Sequence, residues 1–143
     1  TDNYFLLTGV QLEKGSVATP FEYRHFTQEL ELCQRYYEKS YDHANAPGST
    51  GVPGLVAYWT PMSSAITGCY CPVKFQVRKR ATSPTMVIYS SVTGTASRVH
   101  DASIATDAIG QVTMAGEGGF TCAHNCTGAD HCILFHWTAE SEL

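Results

Sequence analysis

The sequence predicts a mainly β fold, an antiparallel β-sandwich-like domain with one amphipathic helix near its N-terminus. Three features carry that expectation. From residue 54 onward apolar and polar residues alternate with period two. Gly and Pro clusters cut this text into short segments at the spacing of all-β domains. Only the region around residues 26–37 repeats its apolar residues at helical spacing.

The chain opens at Thr1 inside YFLLTGVQLE, which reads as a strand with no initiator Met, and is expected to be the C-terminal portion of a longer protein. Residues 1–25 are expected to end an upstream β-module or connector, and residues 26–143 to form the distal β-sandwich domain. In the helix Phe26, Leu30, Cys33 and Tyr37 follow i, i+4, i+7, i+11, while Leu32 and Tyr36 form a second apolar edge. Thr27 is the expected N-cap, Glu29 and Glu31 suit the positive first turn and Lys39 the last, so the helix is predicted over 27–39. One stripe would pack on the chain's own sheet; the second edge calls for another neighbour. HANAPGSTGVPG at 43–54 has no periodicity and reads as a long loop. Strands are expected at 54–60, 71–79 (Val73, Phe75 and Val77 inward), 85–91, 97–102, 109–115, 119–126 and 132–139.

Composition narrows the function. Hydrophobic residues are 43% of the chain but charged residues only 15%, against about a quarter in ordinary soluble domains. So little charge implies that part of the surface is covered by a partner. The net charge of −4 leaves no basic stripe, and the Lys and Arg gather only in KFQVRKR at 74–80. Nucleic acid is therefore excluded as the expected partner. No apolar run approaches the length of a membrane span.

The strongest chemical constellation is CAHNCTGADHC at 122–132. If 120–126 is a strand, Cys122, His124 and Cys126 share a face, a set that would suit zinc with His131 or Cys132 as fourth ligand. The same residues read equally as a core row of small thiols, or as a disulfide joining Cys126 to Cys132, or Cys122 to Cys69 or Cys71. No other cofactor is expected. Catalysis finds little support: there is no GxSxG elbow, and Asp101, Asp107, Glu117, Asp130, Glu140 and Glu142 are scattered over loops and the terminus. The chain is expected not to be an enzyme. Of the two tryptophans, Trp137 aligns with Ile133 and Phe135 in a core row, leaving Trp59 or Tyr58 as an exposed aromatic platform.

GVQLEKGSVATPFEYR followed by ELELCQRYYEKS resembles the segment near the C-terminal end of tail fibres of tailed bacteriophages, where GVQLE-x-GS-x-ATPFE closes an upstream β-module and LCQRYY opens the distal domain. KRATSPTMVIYSSVTGTA and FHWTAESEL also resemble later strands of that domain, so the likeness runs over most of the chain. The cysteines from Cys69 onward and the loop AHNCTGADHC depart from that pattern. The resemblance implies a homotrimeric fibre tip, at the distal end of the virion's tail fibre, joined to upstream fibre segments. Its expected partner is a host cell-surface polysaccharide or outer-membrane receptor. Because a fibre meets its host end-on, recognition falls to loops at the far end. Loops 43–54 and 124–131 stand out by composition, and His43, Asn45, Trp59, His124, Asn125, Asp130 and His131 are the candidate receptor contacts. Two other readings share the pattern: a trimerisation and folding module ending a tailspike depolymerase, and an autonomous carbohydrate-binding module. Cell labelling by the isolated domain separates the first from the folding module, and a monomer in solution favours the third.

Overall fold

A computed structural model describes residues 9–60, 68–126 and 130–141. It is mainly β, with one short helix and a curled antiparallel sheet. The elements are α1 (Phe26–Gln34), β1 (Tyr37–Lys39), β2 (Val56–Thr60), β3 (Cys69–Lys74), β4 (Thr85–Ser90), β5 (Arg98–Asp101), β6 (Thr106–Gly116), β7 (Gly119–His124) and β8 (His131–Glu140). The opening strand expected at 4–13 lies partly outside the described residues; its remainder from Gly9 to Glu13 carries no strand.

β8 organises the sheet. β1 pairs with its residues 138–140 and β2 with 131–135, while β4 takes 135–140 and β5 takes 133–134. Phe135 is matched by both Val56 of β2 and Ser90 of β4, so those strands lie on opposite edges of β8. By the same reasoning β1 and β2 share one edge in tandem, and β4 and β5 share the other. From β5 the ladder continues through β6 and β7 to β3. Pro72 sits within β3, whose outer edge is the end of this path, a position where a missing N–H disturbs no ladder.

The core is the inward row that the alternation marks. Ile133, Phe135 and Trp137 of β8 are buried with Ile88, Val99, Cys71, Phe120 and Cys122. Phe120 and Phe75 reach Trp137 with ring centres 5.7 and 5.5 Å away, joining β7 to β8 across the curl rather than along the ladder. β8 is also buried on its other face, because Tyr41 stacks on His136 at 4.0 Å. Ser40 fixes this contact: its Oγ accepts from the Trp137 N–H at 3.0 Å and meets His136 Nδ1 at 3.1 Å. Loop 43–54 is tied along this flank. Lys39 Nζ donates to the carbonyls of His43 and Asn45, Tyr41 Oη accepts from the Gly48 N–H, and Gly51 N–H donates to Ser91 O. Gly54 ends the loop at φ +90, where an added Cβ would stand 1.9 Å from Ser40 O; no side chain fits there.

Two expectations are corrected. The helix starts one residue earlier and is shorter than 27–39: it begins after His25, so Thr27 lies inside it, and it stops at Gln34. Residues 37–39 pair with β8 instead, because Glu38 is drawn into the body by Lys79 and by the Gln76 N–H. No residue of α1 is buried, so the stripe expected to pack on its own sheet does not do so. The strand expected over 71–79 also ends early, at Lys74. Phe75 and Lys79 still alternate inward, but Lys79 is bound to Glu38 and to the Gln34 carbonyl at the helix C-terminus, and Phe75 N–H turns to Gly118 O.

Candidate functional site

β8 spans about 30 Å at ~3.3 Å per residue, and its two ends differ. At the Glu140 end stands α1: Ser141 N–H donates to Tyr36 O, just past the helix. At the His131 end the strands β2, β5 and β7 finish and β3, β6 and β8 begin, so residues 102–105, 125, 126 and 130 belong to this end. The position of α1 near the Glu140 end thus separates these loop residues from the helix, which alternation alone could not.

Beneath those loops lies a buried histidine–aspartate corner. Asp101 ends β5 with no exposed surface. Its Oδ2 accepts from His131 Nδ1 at the start of β8, and its Oδ1 accepts from the Ser103 N–H at 3.0 Å. His124, at the end of β7, brings Nε2 to 3.5 Å from the same Oδ2, an ion-pair distance beyond a good hydrogen bond. Both imidazoles are about nine-tenths buried or more, and among the described residues His131 Nε2 and both His124 nitrogens have no hydrogen-bond partner. One carboxylate thus hydrogen-bonds the His131 ring and faces the His124 ring of another strand at ion-pair distance. His124 also walls a cleft of about 210 Å³ with Ala108, Ile109, Gln111 and Asn125.

The corner is braced covalently. Cys69 and Cys126 form a disulfide, Cα atoms 6.2 Å apart, closing a loop of 57 residues. A crosslink of that span stabilises a fold by about 4 kcal/mol in the chain-entropy account. This pairing was not among those weighed from the sequence. β7 stops at His124, so the alternation that would carry Cys126 alongside Cys122 and His124 does not continue. Cys126 is spent on Cys69, and Cys122 lies in the apolar core, its thiol pushed up to about 12 by burial and then by Cys71. A thiolate ligand there would oppose that burial. Among the described residues no three His, Cys, Asp or Glu side chains are grouped to hold a metal ion, the set Cys122, His124, Cys126 included.

Of the seven candidate contacts, five gather at this end. Trp59, opposite Cys132 in the register, is 59% exposed, and Asn125 and Asp130 are also exposed. His124 and His131 stand behind them, buried. His43 and Asn45 do not join this group: they lie along the flank, where their carbonyls hold Lys39. Sequence reading missed Asp101 as the organiser, and Ile109 and Gln111 as cleft residues. Nothing at Asp101 announces its role, since His131 is thirty positions away and only strand register unites them.

Near the other end, a groove of about 240 Å³ runs between α1 and β1, lined by Leu30, Cys33, Gln34, Tyr37 and Tyr41 among others. A second His–Asp pair flanks the β4–β5 turn, His100 Nδ1 to Asp107 Oδ1 at 2.8 Å. Burial pushes the Asp107 carboxyl up, but hydrogen bonds from Thr93, His100 and Ser90 outweigh it and hold the carboxyl below its ordinary value. Among the described residues no helix is long and apolar enough to cross a membrane. Comparison with family models, curated proteins and solved structures finds no match to the chain.

Proposed function

We propose that the chain is the distal, receptor-binding tip of a tailed-bacteriophage tail fibre, assembled as a homotrimer and placed at the far end of the fibre in the virion. The observation that carries this reading is the unburied helix. In α1 Phe26 is 76% exposed and Leu32 is exposed with it, and just past the helix Tyr36 stays 44% exposed beside Tyr37 although Arg80 lies over the Tyr36 ring. The chain exposes 9696 Å², against roughly 7,200 Å² expected for a compact monomer of this mass. The excess includes the stretch 9–28, exposed throughout, which neighbouring copies would cover in this reading. The GVQLEKGSVATPFEYR and LCQRYY segments supply the phage direction of the proposal. A two-layer sandwich belongs to it too, supported by the Phe120–Trp137 contact across the curl.

In this reading the N-terminal arm and α1 face the fibre and the neighbouring copies, and the loops at the His131 end face the host. The receptor, a surface polysaccharide or outer-membrane component, is met by Trp59 as a stacking platform with Asn125 and Asp130. His124, His131 and Asp101 fix the floor beneath them. The role proposed is binding, and Asp101, bound on both oxygens and fully buried, serves the floor of the site rather than its surface.

Adsorption competition tests this. The isolated chain is expected to be a trimer by light scattering, to label host cells and to compete with phage adsorption. Trp59→Ala, Asn125→Ala and Asp130→Ala are expected to weaken labelling at least tenfold with the melting temperature unchanged. Full labelling by all three variants would place the site elsewhere, and loss on His43→Ala or Asn45→Ala would move it to the flank. A trimer that labels nothing would instead be a folding module.

A further inference from the structure

Four of the six cysteines lie along the β3–β7 pair. Cys69 and Cys126 are bonded. Cys71 and Cys122, in β3 and β7, are free thiols directly opposite each other in the antiparallel register. Both are buried, at 2% and 0% exposure, and both belong to the main core. Directly opposed residues in such a pair have Cα atoms about 4.5–5.5 Å apart, inside the ~4.4–6.8 Å range of disulfides. Their Cβ atoms stand about 4.5–5.5 Å apart and need to close by only ~1 Å.

We propose that Cys71 and Cys122 are a second disulfide-forming site, one rung inward from Cys69–Cys126, so that β3 and β7 are joined by a two-rung ladder when the chain meets a small-molecule disulfide oxidant. The step balances. One thiol loses its proton and attacks a sulfur of oxidised glutathione, releasing one glutathione thiol and leaving a mixed disulfide. The second thiolate attacks the protein sulfur of that adduct and releases the second glutathione thiol. Two protein thiols thus give up two protons and two electrons, and the oxidant's S–S bond becomes two thiols.

Burial sets when this occurs. Within the closed fold the thiols are pushed up to about 11 and about 12, so little thiolate exists and oxidant has no path in. Oxidation belongs to the stage before β3 closes on β7, or to rare openings of that edge. Cys33 is exposed and Cys132 half-buried, and neither has a cysteine opposite it in the register, so they remain as thiols.

The experiment is refolding from denaturant in a glutathione redox buffer, followed by thiol titration under denaturing conditions. Two titratable thiols per chain are expected, those of Cys33 and Cys132. Four thiols, with Cys69–Cys126 formed, overturn the proposal, as does any other pairing in the unreduced peptide map. Cys69→Ser/Cys126→Ser isolates the site: its map is expected to link Cys71 to Cys122, and unlinked Cys71 in a folded variant overturns the idea. If that variant does not fold, the thiol count on the parent chain decides.

Discussion

Lys79 comes from the most basic stretch of the sequence yet is buried, at 2% exposure, and so is its partner Glu38. Glu38 is fully engaged: one oxygen takes the Lys79 ammonium and the other the Gln76 N–H at 3.0 Å. Lys79 also donates to the last turn of α1 at Gln34 O and sits 4.8 Å above the Phe75 ring. Removing one partner strands a buried charge, which costs more than removing both. Lys79→Met is expected to lose about 3–5 kcal/mol in denaturant unfolding. Lys79→Met/Glu38→Gln should recover much of that; a double variant as unstable as the single would show the pair to be unimportant. His136 gives a pH signature. Burial lowers its imidazole below the ordinary value of 6.5, only partly opposed by the Val52 carbonyl. The unfolded chain therefore takes up a proton near pH 6.5 that the folded chain resists. This contribution to stability is complete above that value and is lost as pH falls towards the lower folded value. His136→Gln is expected to flatten the fall of melting temperature below pH 6.5. An unchanged slope would assign the fall to carboxylates alone.

Among the elements, α1 contributes least to its own chain, and the charge of its partners is settled locally, with Arg24 bridging Glu22 and Glu29 at 2.8 and 2.9 Å. In the proposed trimer, Leu32→Lys/Tyr36→Lys should consequently dissociate the copies and leave the circular dichroism of the sheet intact. Retention of the parent mass in light scattering would dismiss α1 as the interface. The strands were legible because each is a period-two segment cut by Gly or Pro, and five of the eight fall within two residues of their expected ends, while β6 begins three residues early. The other two exceptions have separate causes. Three-residue β1 was hidden because EKS continues the helical spacing of LCQRYY, and only pairing with β8 forces it to extend. β3 was drawn too long because Phe75, Val77 and Lys79 keep the alternation after the ladder has ended. At the site, sequence located the residues but not their depth. His124 and His131 look like loop polar groups until Asp101, contributed by another strand, is seen to hold them inside.

At the scale of the whole molecule, one strand decides the rest. β1, β2, β4 and β5 have no ladder partner among themselves apart from the Tyr89–Ala96 bridge beside β4; each lies on β8. The core row Ile133–Phe135–Trp137 is on the same ten residues, as is the buried His131 at one end, and at the other Ser141, just past the strand, bonds the Tyr36 carbonyl just past α1. β8 is also the last strand in sequence order among the described residues. During synthesis β1, β2 and β4 emerge with the edges that will meet β8 open, and can pair natively only after residues 131–140 have left the ribosome. The β5–β6–β7–β3 part of the sheet can close earlier. A translation product cut short before β8 would leave β1, β2 and β4 without the partner of their ladders, open to proteolysis. The placement of this strand acts as a proofreading step on synthesis: three strands made earlier join the sheet only once residues 131–140 exist.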